Sequence, residues 1–314
     1  MLNLCSRLRR FYRRSSTASD NDSAAAGAAD MSCAFHGMPE ADDDNVNLLK
    51  KNDYKQERGM AEAEVRDGDE ILFRQPTTTH LGDCPICFLP LPLDPYKSTL
   101  QSCCSKVICK GCRRAIRLHE ASKKTRHECP LCRQPEPRSN RELNMNSMKR
   151  VAVNDRVAIQ ERGKKGYYDG HYKDAFKYWT EAAELGDVDS IYLLSLLYRD
   201  GLGVEKNEEK EWHQLEEAAI AGHVGARFTL AHNERMRRGN TERAVKHLII
   251  AANLGCNYSI KALEQCHENG EVCKDQFTAT LHAHEAAVDE MKSPQREEQA
   301  NYARSIEEWF CAGK

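Results

Sequence analysis

Long apolar runs are absent from this 314-residue chain. None approaches the roughly 20 consecutive apolar residues that a membrane-spanning helix needs, so we expect no membrane partner. The N-terminus carries no apolar secretory segment, because arginines interrupt it. The sequence also has no phosphate-binding loop, no dinucleotide-binding glycine motif and no nucleophile elbow. These absences favour an intracellular protein and give no support to a nucleotide-dependent enzyme or a serine hydrolase.

Acidic residues are missing from the first nineteen positions, which hold five arginines. An acidic stretch follows, with three aspartates in a row at 42–44. Both parts are poor in periodic apolar residues, which predicts a disordered tail over residues 1–79. The arginine-rich head is typical of a mitochondrial presequence or of a solvated basic tail, and we favour the tail. A cytoplasmic location is therefore expected, with a nuclear location and a mitochondrial presequence left open.

Cysteines are concentrated between residues 84 and 132, in three C-x-x-C pairs and the adjacent Cys103 and Cys104. The pairs are Cys84 with Cys87, Cys109 with Cys112, and Cys129 with Cys132. In a reducing compartment such spacing favours metal ligation over disulfides. The thiolates suffice for two tetrahedral zinc ions, and a segment with so few large apolar residues needs metal binding to supply its folding free energy. We therefore expect two Zn²⁺ ions.

This spacing resembles an all-cysteine-like variant of the RING-type cross-brace domain, over residues 80–137. The resemblance implies two interleaved zinc sites. The first would be formed by Cys84, Cys87, Cys109 and Cys112, and the second by Cys103, Cys104, Cys129 and Cys132. Lys106 stands where the commonest RING pattern has a histidine. Whether Cys103 or His127 completes the second site therefore stays open, and His119 is a weaker substitute.

The RING resemblance also implies a function, which is to hold an E2-bound ubiquitin in an attack-ready pose without a nucleophile of its own. Ile86, Pro130 and Ile116 occupy positions at which the family contacts E2. Arg133 occupies the position of an arginine that bridges E2 and ubiquitin through its planar donor fork, and it is the only catalytic candidate. For each residue the alternative is a purely structural role: covering the zinc loop, shaping a turn, or adding one more surface charge.

The second half of the chain repeats itself. The pattern A-A-x-x-G recurs at 182–186, 218–222 and 251–255, and a Y-x-D-G type signature occurs at 167–170 and 198–201. A period in the mid-thirties, with small residues in one helix and glycine after each helix, predicts stacked helical hairpins. The residues from Tyr198 to Gly222 match best, and they resemble Sel1-like repeats, which are related to tetratricopeptide repeats. The resemblance implies an α-solenoid with a protein-binding surface.

The predicted protein is thus mainly α-helical. Its expected parts are the disordered tail (1–79), a RING-like zinc module (80–137), a linker (138–150), a Sel1-like solenoid (151–292) and a C-terminal capping helix (293–314).

The leading functional hypothesis is a RING-type E3 ubiquitin ligase, with an E2 enzyme on the zinc module and a protein substrate or adaptor on the repeats. The alternative is a non-catalytic zinc-binding scaffold for protein–protein interactions. A third hypothesis, a nucleic-acid-associated zinc protein, rests on the basic run from Lys110 to Arg126. No aromatic residue interrupts that run to stack on bases, so we expect a solvated face and no nucleic-acid partner.

Overall fold

The computed structural model describes residues 68–123 and 127–312, and for residues 307–312 it describes the backbone alone. The predicted disordered tail falls largely on residues 1–67, which lie outside the described residues. The last residues assigned to the tail, 68–79, are among the described residues. Residues 68–72 are helical and Leu72 is only 4% exposed, because the apolar pair Leu72–Phe73 packs against the repeat helices.

The cysteine-rich segment forms a small module of its own. A 3₁₀ turn (Pro95–Lys97) leads into strand β1 (Ser98–Gln101), which pairs antiparallel with β2 (Lys106–Cys109) in the register Ser98 to Cys109. Helix α1 (Lys110–Lys123) follows β2 directly. The buried core of the module consists of Cys84, Leu91, Ile108, Cys109 and Cys112. Thiols make up most of this core, so apolar burial alone contributes little to its stability.

The rest of the described chain is a succession of helices. They are α2 (Asn140–Val151), α3 (Arg156–Tyr168), α4 (Tyr172–Glu184), α5 (Val188–Asp200), α6 (Glu208–Ile220), α7 (Val224–Arg237), α8 (Thr241–Asn253), α9 (Asn257–Glu268), α10 (Lys274–Glu290) and α11 (Pro294–Ala312). None of the helices in the described ranges is both long and apolar enough to cross a membrane.

Short-range sequence signals set the ends of these helices. Side-chain oxygens of Asp155, Asp187, Asn207 and Asn240 accept hydrogen bonds from backbone N–H groups in the first turn of α3, α5, α6 and α8. These caps satisfy donors that have no partner within the helix. The glycines that follow the repeat helices adopt positive φ, from +67° to +86°, at positions 170, 186, 201, 222, 255 and 270. The prediction that glycine ends these helices is confirmed.

Consecutive helices pack as hairpins, α3 with α4, α5 with α6 and α7 with α8. The alanines of the repeated motif lie at the contacts, and Ala182, Ala218, Ala219, Ala251 and Ala252 are fully buried. Larger side chains, among them Trp179 and Leu215, fill the space beside them. The predicted fold class, a mainly α-helical chain with stacked helical hairpins and a small cysteine module, is confirmed.

Helix α11 covers the region in which the sequence predicts a C-terminal capping helix. Its main packing partner is α1 of the cysteine module. The two helices meet at Gly111, where an added Cβ would lie 2.8 Å from the backbone nitrogen of Arg296. The guanidinium of Arg114 stacks over the ring of Tyr302, 3.7 Å from its centroid. Glycine at the crossing and the cation–π contact explain why α11 packs against the module.

Candidate metal centres

The first cysteine tetrad consists of Cys84, Cys87, Cys109 and Cys112. One ligand atom from each lies within 4.8 Å of all the others. The first two sit in a tight turn, and the other two sit at the end of β2 and in the first turn of α1. Backbone N–H groups of Cys109 and Cys112 point at sulfurs of the tetrad, each at 3.4 Å. Such N–H···S contacts stabilise negative charge on the sulfurs.

The second tetrad consists of Cys103, Cys104, Cys129 and Cys132, again within 4.8 Å of one another. The adjacent cysteines reach one centre because the chain turns sharply between β1 and β2. Backbone N–H groups of Cys104 and Ser105 both donate to the carbonyl of Gln101, and Ser105 adopts φ +54°. His127 stands outside this group, and its Nδ1 pairs with Glu120 at 2.7 Å. The geometry therefore brings Cys103, and not His127, to the second centre.

The turns that carry the outer C-x-x-C pairs have the same construction. The N–H of Cys84 donates to the carbonyl of Leu89 at 2.9 Å, and the N–H of Cys129 donates to the carbonyl of Gln134 at 2.8 Å. The residue after each pair, Phe88 or Arg133, adopts positive φ, +56° and +59°. The N–H groups of these two residues bond back to the carbonyls of Cys84 and Cys129. Arg133 is thus the left-handed residue of the second turn, and it is exposed.

Because the four thiols of each tetrad are close together, their ionised thiolate form is electrostatically unfavourable unless a cation lies among them. Burial and the neighbouring thiols raise the pKa of Cys112 and of Cys103, and burial raises the pKa of Cys104 to about 11. Burial acts to raise the pKa of Cys84 as well, but hydrogen bonds from the backbone of Cys109, Cys87 and Ile86 hold it at about 7. Four thiolates at this spacing need a positive charge among them.

The two tetrads could therefore each hold a metal ion. All eight cysteines are free thiols in the structure, and their sulfurs form two compact four-sulfur groups. Four soft sulfur donors in one tetrad suit a soft or borderline divalent cation. Membership of the two groups agrees with the interleaved pairing that the sequence resemblance implies.

The residues expected to contact a protein partner remain partly accessible. Ile86, Ile116 and Pro130 are half-buried, and Ile86 packs against the core of the module. On α1, Ile116 lies about 140° around the helix axis from Gly111 and about 160° from Arg114. Because Gly111 and Arg114 face α11, helix α11 leaves the face that carries Ile116 uncovered.

The basic run along α1 makes contacts within the protein. Arg113 and Arg117 both pair with Glu136, just beyond the second tetrad. Arg114 stacks on Tyr302 and lies 3.9 Å from Glu298. Three of the arginines that suggested nucleic-acid binding therefore have partners within the protein.

Arg296 of α11 attaches the module to the end of the repeats, and sequence reasoning missed it. Its guanidinium donates to the carbonyls of Pro90 (2.8 Å) and Leu89 (3.2 Å) and contacts Cys87 Sγ at 3.4 Å. It also donates to the carbonyl of Met291, directly after α10, at 2.7 Å. No short-range pattern marks an arginine whose partners lie some two hundred residues away. Leu93 adds an apolar contact to a cluster that contains Val224 and Leu254.

A further group of potential ligands, His80, Asp189 and His223, joins the segment before the module to the repeats. His80 Nε2 lies 2.7 Å and His223 Nε2 lies 3.3 Å from the same oxygen of Asp189. His223 Nδ1 accepts the backbone N–H of Ala226 at 3.0 Å, so the proton of the neutral ring is on Nε2. A metal ion would need the lone pair of that Nε2. The group is therefore a hydrogen-bonded contact between carboxylate and imidazoles.

Burial acts to raise the pKa of Asp189, but hydrogen bonds from His223 and His80 hold it well below its usual value. The carboxylate is therefore ionised at neutral pH and anchors both imidazoles. Sequence reasoning did not find this contact, because His80 lies more than a hundred residues from Asp189 and no motif connects them.

A scan against protein-family models and a search of the curated proteins each found no match for this sequence. Similar solved structures include a Sel1 repeat protein from Oxalobacter formigenes (TM-score 0.42, 22% identity, covering 47% of this chain and 65% of that one). Another is a protective antigen of uropathogenic Escherichia coli with an SLR fold (TM-score 0.37, 15% identity, covering 53% of this chain and 37% of that one). This chain spans less than two thirds of either structure.

Proposed function

We propose that this protein is a zinc-binding scaffold for protein–protein interactions. The observation that carries the proposal is the contact of Arg296 with both the first cysteine turn and the carbonyl that follows α10. This contact holds the cysteine module in a fixed position beside the repeats. A protein bound to the repeats would therefore be held at a defined place relative to a protein bound to the module.

Zinc is the metal that best suits the two tetrads. Four cysteine thiolates around one ion form the usual structural zinc site, closed to water and without redox chemistry. Iron–sulfur clusters are the other common occupant of four-thiolate sites. Metal analysis of the purified full-length protein separates the two: we expect two zinc ions per chain and no iron or acid-labile sulfide. Cys112→Ser and Cys132→Ser should each lose one zinc ion, and a loss of both from either variant would contradict independent sites.

The scaffold proposal is tested with the tagged full-length chain in extract of the cells that produce it. Chemical cross-linking followed by mass spectrometry should place retained proteins on both the module and helices α3–α10. Zinc removal by a chelator should abolish the cross-links to the module and leave most of those to the repeats. Failure to retain any protein under conditions in which the chain keeps both zinc ions would contradict the scaffold role.

A RING-type E3 ubiquitin ligase is the second candidate function. The observation that favours it is the exposed Arg133, held in a left-handed conformation at the edge of the second tetrad. Ile86, Pro130 and Ile116, at the positions where RING domains contact E2, are partly accessible, and the face of α1 that carries Ile116 points away from α11. A planar guanidinium there can bond two carbonyl groups at once, which an ammonium cannot.

The ligase candidate is tested by discharge of a ubiquitin-loaded E2 onto free lysine. If it is a ligase, the wild-type chain accelerates discharge with at least one E2 of a panel. Arg133→Lys is the matched variant, because it keeps the charge and the conformational cost of a side chain at positive φ but loses the fork. It should slow discharge about tenfold or more with both zinc ions retained. If the chain accelerates discharge with no E2 of the panel, the ligase candidate is wrong and the scaffold function remains.

A further inference from the structure

The segment that precedes the cysteine module, residues 68–82, lies across the repeats, and we call it the strap. Leu72 inserts into the apolar cluster that contains Leu215 and Leu230, and the ring of Phe73 lies 4.7 Å from that of His247. The N–H of His80 then bonds to the carbonyl of Gly222 at 3.2 Å. The strap therefore occupies a face formed by α7, α8 and the turn between α6 and α7, as a bound peptide would.

The face beneath the strap carries four side chains of basic residue types. Arg227 on α7 and Arg243, Lys246 and His247 on α8 all lie under or beside Phe73 and Leu72. Arg243 pairs with Asp69 of the strap and with the buried Glu234. Lys246 pairs with Glu242 at 2.7 Å. Burial and the neighbouring arginines lower the pKa of His247 to about 3, so this imidazole is uncharged at neutral pH.

Arg227 is the exception within this group, because none of the described acidic residues forms an ion pair with it. The side chain is fully buried, and one of its N–H groups donates to the backbone carbonyl of Leu72. Among the described residues, its Nε and Nη2 have no hydrogen-bond partner. His247, 3.5 Å away, is fully buried too, and its Nε2 is also unpartnered. Burial lowers the pKa of Arg227 to about 10.

A buried guanidinium that donates only to a neutral carbonyl and a neutral imidazole nitrogen is costly to keep. The strap provides the apolar anchor Leu72 and the carboxylate of Asp69, but at Arg227 it provides no charge. A peptide with a carboxylate at the position of the Leu72 carbonyl would keep both anchors and add the missing ion pair. Such a charge-assisted, two-point contact is stronger than a neutral hydrogen bond.

We propose that this face of α7 and α8 binds an acidic peptide segment of a partner protein, whose carboxylate pairs with Arg227, and that the strap is an internal ligand which the partner displaces. The proposal rests on the scaffold function and specifies the chemistry of one partner. The strap competes from the same chain, so its effective concentration is high and only a better-matched peptide replaces it.

The test uses two fluorescent peptides with the sequence of residues 66–72, Arg-Asp-Gly-Asp-Glu-Ile-Leu. One ends in a free carboxylate and the other in an amide, so that they differ only in the charge placed at the Leu72 carbonyl. Binding is measured by fluorescence anisotropy to the full-length chain and to full-length L72A/F73A, in which the strap has lost its apolar anchors. Should that variant fold poorly, D69A/H80A weakens the strap at its two polar anchors instead.

We expect the carboxylate peptide to bind the strap-weakened variant at least about tenfold more tightly than the amide peptide does. It should bind the wild-type chain at least about tenfold more weakly than the variant. When R227M is added to the strap-weakened variant, the carboxylate peptide and the amide peptide should bind with nearly equal affinity.

Equal binding of the two peptides, a preference that survives R227M, or no binding of either peptide would overturn the proposal. So would a dimer in which two chains exchange straps, because the occupant would then be a second copy. The zinc content and the cross-linked partners of the module are measured separately, so failure here is distinguishable from failure of the scaffold function.

Discussion

The guanidinium of Arg296 lies 3.4 Å from the sulfur of Cys87, across 209 residues of sequence. The same group donates to two carbonyls of the loop that follows this cysteine. A positive charge beside a thiolate lowers the charge density that the metal must balance, and the hydrogen bonds fix the loop that carries the ligand. The C-terminal helix thus contributes to the first metal centre although it supplies no ligand.

Replacement of Arg296 by alanine should weaken metal binding at the first tetrad. Loss of an outer-shell partner typically costs about ten- to a hundredfold in metal affinity. We expect faster transfer of one of the two zinc ions to a coloured chelator, with the other little affected. Arg296→Lys keeps the charge but cannot reach all the carbonyls, so its rate should be intermediate. Identical zinc release from wild type and Arg296→Ala would show that the contact does not support the site.

Local features of the fold were predictable from sequence because they depend on neighbours in the chain. Glycine at positive φ after each helix and buried alanine pairs follow from the repeated motif. The docking of α11 and of the strap was not predictable in the same way. Each depends on contacts between residues more than a hundred positions apart, such as Arg227 with Leu72. The pair Leu72–Phe73 was the available signal, since it is an apolar anchor next to an acidic stretch.

Substitution of Gly222 by alanine should release the strap. Gly222 adopts φ +85°, and an added Cβ would lie 3.0 Å from the carbonyl oxygen of Thr78 in the strap. Gly186 holds the same place in an earlier repeat with φ +80°, and its Cβ would meet nothing closer than 3.6 Å. Both alanine variants should lose about 1–2 kcal/mol from the unfavourable backbone conformation. Only Gly222→Ala should accelerate amide hydrogen exchange at residues 72–80, and equal exchange in the two variants would contradict the contact.

The stability of the repeats should fall as the pH is lowered below about 6.5, because of His247. Burial and the charges of Arg227 and Arg243 lower the pKa of this imidazole to about 3. Below about pH 6.5 the unfolded chain binds a proton at His247, whereas the folded chain leaves this imidazole neutral. The stabilising contribution of the neutral imidazole is therefore present above the unfolded pKa and is lost on acidification. The loss should reach about 2 kcal/mol at about pH 5. Urea unfolding of His247→Gln should show a flatter dependence on pH, and an unchanged slope would assign the effect to other groups.

Arg227→Met should make the protein more stable, although it removes a hydrogen bond. No carboxylate in the part of the chain that the structure describes pairs with the buried guanidinium, and methionine fills similar space without a charge to desolvate. Replacing an uncompensated buried charge by an apolar side chain typically gains about 1–3 kcal/mol. Arg243→Met is the matched control on the same face, because it leaves Glu234, which is 1% exposed, with only the half-exposed Arg238 at 4.0 Å.

We expect Arg243→Met to lower the free energy of unfolding by about 3–5 kcal/mol. This change is opposite in sign to the one expected for Arg227→Met. Urea unfolding of the zinc-loaded variants measures both values. A residue that lowers the stability of the folded chain is typical of a functional site, where stability and function are in conflict. If Arg227→Met were as destabilising as Arg243→Met, Arg227 would be part of the structural support of the strap, and the argument for an anionic partner at this face would lose its basis.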